Sequence, residues 1–143
     1  MRSRNQRSGQ AFVESGLIML IFIPVLIGIM DFGQFLYFHQ SLTERARAAA
    51  RYGAVHTFDS TAITNVAIYN DASGSSNGAT PLLPYLNTTS GADGCVTAAL
   101  TDATTEDARV RVTITNYPYN FLIFPTTVNK RTITDTEPYE IDR

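Results

Sequence analysis

Two carboxylates stand in the most apolar part of the chain, Glu14 and Asp31. Seventeen positions separate them, or ~26 Å along an α-helix at ~1.5 Å per residue. That distance excludes work as a paired general acid and base, which must reach the same bond. His39 and His56 have no cysteine near them, so the usual clustered transition-metal site is not formed. The single cysteine, Cys95, rules out an internal disulfide framework and a cysteine-rich zinc site. It stands among strand-forming residues and reads as a small buried apolar side chain, with a reactive or intermolecularly paired thiol as the alternative. Asp102, Glu106 and Asp107 crowd one turn without the regular spacing of a calcium loop, which makes them a solvated acidic loop. Asn87-Thr-Thr fits a glycosylation sequon, of consequence only where the machinery exists. No nucleophile is set beside a base, so neither enzyme activity nor a bound metal or cofactor is expected. Eleven basic residues against 13 acidic ones give no basic excess, which argues against a nucleic-acid partner.

The elements that place these residues divide sharply by hydropathy. Between Ala11 and Phe38, 20 of 28 residues are apolar, against 43 of the other 115. The mean hydropathy of −0.04 therefore averages a membrane segment with an ordinary polar domain. Ser15 to Met30 carries no charge. These residues make only ~24 Å of helix, and a spanning helix wants about 20 apolar residues. The aromatic-rich continuation through Phe38 supplies the length, past Asp31, so the transmembrane part is predicted at about 15–38. Arg2, Arg4 and Arg7 precede it with no acid among them, which puts the N-terminus on the cytoplasmic side and the residues beyond about 40 outside. A cleaved secretory signal is the alternative, but the end of the run offers no small-x-small site. A buried core helix would show one apolar stripe, whereas here Ile and Leu surround the helix.

Pro24 lies mid-run, where a membrane helix kinks instead of breaking. From Gln40 to Val55 the sequence is rich in strong helix formers, so one helix of ~65 Å is predicted from about Gln10 to Ala54. Ala46, Ala49, Ala50, Gly53 and Ala54 recur at three- and four-residue spacing, a small-residue stripe that permits close helix packing. Glu44 and Arg47 fall at pairing distance on another face.

The string Gly9-Gln10-Ala-Phe-Val-Glu14, followed by an apolar helix, resembles the class III signal of type IV pilin-like proteins. With Pro24, Asp31-Phe32-Gly33 and Ala-Ala-Arg51-Tyr52, the segment from about 8 to 55 looks like the TadE-like family of the tight-adherence (Tad/Flp) pilus system. The resemblance implies cleavage after Gly9 by a prepilin peptidase, which would leave Gln10 first and Glu14 fifth. It also implies that Glu14 pairs with the N-terminal amine of a neighbouring subunit during assembly; an interfacial Glu solvated by headgroups is the alternative. Asp31 is either a subunit-packing residue or an outer-interface acid. The implied partners are the membrane, other pilin or pseudopilin subunits or further copies of the chain, the peptidase and the Tad assembly machinery. The implied location is the bacterial inner membrane, single-pass, with a cell-surface filament after assembly. A minor pilin or pseudopilin is the role this suggests; the alternatives are the main filament subunit and a non-polymerising membrane-anchored binding domain.

Beyond Thr57 the charge is 5 basic against 10 acidic. Asp59 to Ala72 reads as a short amphipathic helix capped by Asp59 or Ser60. Residues 73–78 and Pro81 read as a loop, which Leu82, Leu83, Tyr85 and Leu86 would pin to the core. Arg109 to Thr115 alternates apolar and polar, with Val110, Val112 and Ile114 on one face. Cys95–Leu100 is its expected antiparallel partner. Phe121–Phe124 and Arg131–Thr136 are further expected strands, with turns at Tyr117-Pro118 and Phe124-Pro125. The fold predicted is α+β and pilin-like. A basic arm (1–9) precedes a long N-terminal membrane-spanning helix (10–55), which continues into a small antiparallel β-sheet domain (56–143).

Overall fold

The computed structural model describes residues 4–74, 78, 80–81, 83, 86–89, 92–102, 107–121 and 127–140. A single α-helix, α1 (Arg4–Val55), runs for 52 residues, or ~78 Å. It starts six residues before the expected Gln10, because nothing between Arg4 and Gly9 breaks a helix: the segment has no proline, and Gly9 costs only about 1 kcal/mol. Pro24 lies inside it. At the far end, His56 Nδ1 lies 2.9 Å from the Tyr52 carbonyl. The Glu140 N–H donates to the Ala54 carbonyl at 3.0 Å. Two of the carbonyls a helix end would otherwise leave open are thereby engaged.

A second helix, α2 (Ser60–Tyr69), begins at the predicted cap: Asp59 Oδ1 accepts from the Thr61 N–H at 2.8 Å. It ends earlier than Ala72 because Asn70 takes a left-handed conformation (φ 60°) and closes the last turn onto the Val66 carbonyl, a common helix stop. Ile63, Thr64, Ala67 and Ile68 are its buried face.

Three strands follow, β1 (Cys95–Thr101), β2 (Arg109–Asn120) and β3 (Thr127–Pro138), in an antiparallel sheet of order β1-β2-β3. The expected pairing of β1 with β2 is found, with Val96 opposite Ile114, Ala98 opposite Val112 and Leu100 opposite Val110. A period of two puts all six on one face. That face meets α1 and α2 in a core that includes Leu42, Ala46, Ile63, Ile68, Val110, Val112, Ile114 and Ile133. Cys95 is buried as a free thiol, Leu86 is buried and Leu83 packs against the core. Leu82 and Tyr85 lie outside the described residues, as do Phe124 and Pro125.

One expectation is corrected. There is no turn at Tyr117-Pro118; β2 runs straight through it to Asn120. The register with β3 slips between Ile114 and Tyr117 and again between Tyr117 and Tyr119. Asn116 stands in the first slip at φ 55°, a conformation asparagine tolerates better than most residues. Such bulges are where a central strand can hold a proline, whose missing N–H would otherwise break the ladder. The inserted residue also switches which side chains face inward. Val110, Val112 and Ile114 are buried before it, Tyr117 and Tyr119 after it. The expected strand at Arg131–Thr136 is the middle of the longer β3.

The small-residue stripe of α1 meets the chain's own domain. Ala46, Ala49 and Ala50 are fully buried. A Cβ added at Gly53 would stand 2.7 Å from Ile63 Cδ1 and 2.9 Å from Val110 Cγ1, so α2 and β2 both close on this point. Overpacking such a site costs about 1–3 kcal/mol. Gly53→Leu is expected to lower the unfolding midpoint of the folded domain in detergent. Ala48→Leu, on the exposed face of the same helix, is expected to leave it unchanged.

Candidate functional site

Along α1 the surroundings change at one residue. From Gly9 to Leu26 every side chain is exposed, and Leu17, Leu20, Ile21 and Ile23 are among the large apolar ones. The helix is long and apolar enough to cross a membrane, and none of its most apolar window is buried within the chain. Ala11 to Met30 makes ~30 Å of helix, the thickness of a bilayer's hydrocarbon core. From Gly9 onward, Asp31 is the first residue that the rest of the chain buries, at 7% exposure.

What covers Asp31 is the end of β2. The Tyr119 hydroxyl lies 3.0 Å from the Asp31 carbonyl oxygen and 3.3 Å from Asp31 Oδ1, a hydrogen bond shared between the two. Around it gather rings from both elements. Phe35 lies edge-on to Tyr119 at 5.3 Å and 5.7 Å from Phe121, Phe38 is 6.0 Å from Tyr119, and Tyr119 is 5.0 Å from Phe121. Offset and edge-to-face pairs at these separations are mutually attractive beyond their buried area. Burial, and then the Asp31 carboxylate with the hydrogen bond to it, raise the Tyr119 phenol above the usual tyrosine range, so it stays a protonated donor at neutral pH.

Two ion pairs lie further along. Arg47 Nε is 3.5 Å from Asp135 Oδ2 and Arg51 Nε is 3.8 Å from Glu137 Oε1. Arg47 is also 3.7 Å from Glu44, the pair expected from their spacing. Four residues of helix rise ~6 Å and two of strand ~6.7 Å, so α1 and β3 present successive charges at nearly equal intervals. Half-exposed pairs of this kind contribute little energy each; they fix the register of β3 on α1.

The other residues singled out in the sequence fall as follows. Gly9, Gln10, Glu14 and Pro24 are exposed on α1, well away from the folded domain. Ala46, Ala50 and Gly53 are in the core described above. Glu14 and Asp31 stand apart, as their spacing requires. Asn87 Nδ2 donates to the Asp93 carbonyl and Asn87 Oδ1 accepts from the Thr89 N–H, so the sequon residue shapes its own loop. Among the described residues no three of His, Cys, Asp and Glu come together as metal ligands. Tyr119 was the functional residue that sequence reasoning missed. Asn116, which tolerates the bulge conformation, was the signal for it, set in a run of aromatics that reads as a turn.

Residues 9–51 match the family described as TadE-like protein, the family that Gly9, Glu14, Pro24, Asp31 and Arg51 point to. The match spans most of α1 and stops short of α2 and the sheet. No curated protein and no solved structure was found to match the chain.

Removing the Tyr119 hydroxyl leaves the buried Asp31 carboxylate without that donor, at a cost of about 1–3 kcal/mol. Tyr119→Phe is therefore expected to lower the unfolding midpoint and speed amide exchange at the nearby end of β2. The sign with pH follows from the raised phenol. Its stabilisation is full below the ordinary tyrosine value near 10 and is lost as pH rises through the higher folded value. The gap in midpoint between wild type and Tyr119→Phe should therefore close above pH ~10.

Proposed function

We propose that this chain is a non-enzymatic, single-pass component of a Tad-type pilus, a minor pilin or pseudopilin that enters the assembly through its N-terminal helix. The TadE-like match supports a protein associated with such a pilus. The observation that carries the assembly reading is the exposed apolar surface of α1. Seventeen large hydrophobic side chains between Phe12 and Val55 are exposed, most of them before residue 38. The folded domain leaves this surface uncovered, and it suits lipid during storage and other apolar helices during assembly. Both environments are apolar, so exchanging one for the other requires no loss of hydrophobic burial, and close packing decides the preference.

In this reading the N-terminus is cytoplasmic and the domain after α1 lies outside. The peptidase removes residues 1–9, and the new amine at Gln10 meets Glu14 of a neighbouring subunit. A carboxylate one turn inside the apolar surface is costly without a partner, and an N-terminal amine at the same depth supplies it. Asp31 acts at the other end, where its contact with Tyr119 holds the outer domain against the helix. Pro24 lies between the two acids, where packing of neighbouring helices can accommodate a local kink.

Mass spectrometry of the assembled protein tests the processing. A chain beginning at Gln10 is the expected result, and an intact 1–9 arm in assembled material would remove cleavage from the account. Glu14→Ala is expected to insert into membranes as wild type does and to enter filaments poorly. Equal incorporation of mutant and wild type would rule Glu14 out of the mechanism. Copy number per filament separates a minor from a main subunit.

A further inference from the structure

The end of the sheet nearest the membrane has the chemistry of a lipid-facing surface. The level of each strand residue can be read from what it touches on α1. Tyr119 meets Asp31, Arg47 meets Asp135, Arg51 meets Glu137, and the Glu140 N–H meets the Ala54 carbonyl. Val128 is the register partner of Tyr119. From Val128 to Glu140, β3 and its extension therefore climb beside α1 from residue 31 to residue 54. Twelve residues of strand rise ~40 Å and 23 of helix ~35 Å, so the two lie nearly side by side. The lower end of the sheet thus ends at the level where the outward-facing apolar part of α1 ends.

One feature of that end is set apart from the rest of the domain. Its side chains are aromatic: Tyr119 and the partly exposed Phe121 stand beside Phe35 and Phe38, with Phe32 and Tyr37 exposed on the helix at the same height. An aromatic rim at the edge of the hydrocarbon is the pattern that suits a membrane–water interface.

From this placement we infer that the outer domain docks on the membrane itself, with Phe121 at the lipid surface. The inference rests on the membrane-anchor reading above but not on filament formation. Docking gives the Asp31–Tyr119 contact a second effect: it holds the sheet at a set height, so the domain lies on the bilayer instead of swinging on a free stalk. Leaving the membrane for an assembly then requires giving up a lipid contact as well as moving the helix.

The chain contains no tryptophan, so a single introduced one reports its own surroundings. Full-length Leu20→Trp, Phe121→Trp and Val55→Trp are reconstituted in vesicles of phosphatidylcholine with phosphatidylglycerol, some of the lipid brominated high in the acyl chains. Quenching of L20W tests the anchor alone. With the anchor in place, F121W is expected to be quenched by the brominated lipid severalfold more than V55W, which stands ~30 Å further along α1. Equal quenching of F121W and V55W alongside a quenched L20W would overturn docking and leave the anchor intact; an unquenched L20W would overturn both.

Discussion

Tyr119 reaches from the end of the sheet to Asp31 on α1, and the arrangement of the rest of the molecule follows from that contact. Below it the helix is bare, and its apolar side chains demand lipid or another apolar helix. Above it the same helix is covered on one side by α2 and the sheet and open to water on the other. A helix of this length carrying both kinds of surface needs a sharp boundary, because an apolar stretch left in water or a polar domain drawn into lipid would each be costly. The buried carboxylate, the phenol that donates to it and the three phenylalanine rings around them form that boundary.

The folded domain is small, and a core of this size depends on the helix beneath it. Ala46, Ala49, Ala50 and Gly53 let α2 and β2 approach the helix backbone closely, and the added Cβ at Gly53 would have no room. Further out, Arg47 and Arg51 meet Asp135 and Glu137 at intervals that match between helix and strand. Acids on the inward face of β3 would be out of place in an apolar core, but at the sheet edge they reach the arginines of the helix. Aromatic contacts hold the lower end, small residues the middle and ion pairs the margin. Together they align the sheet with the helix and set the height at which its aromatic end stands.

Much of this was legible in the residues. The long helix followed from its composition, the cap at Asp59 from the side chain that satisfies an open helix N–H, and the β1–β2 pairing from strict alternation of Val110, Val112 and Ile114. The match over residues 9–51 falls on the same segment whose Gly9, Glu14 and Pro24 carry the resemblance. Less legible was the partner of the small-residue stripe, which spacing alone leaves open between another subunit and the chain's own domain. The arginine–carboxylate register was also out of reach, since Arg47 and Asp135 are 88 positions apart and no local rule relates them.

The sequence by itself determined which parts of the chain are apolar and which are helical, because these follow from composition and from periods of two and 3.6 residues. Only the tertiary structure decided what Asp31 does. Read locally, Asn116-Tyr117-Pro118 is a turn, since asparagine and proline are turn formers. In the fold, pairing with β3 keeps the strand going. The bulge absorbs the proline, and the one-residue slip turns Tyr119 from the outer face to the inner one. A side chain's face in a sheet depends on every residue counted from the last irregularity, so the Asp31–Tyr119 contact exists only once the bulge has formed.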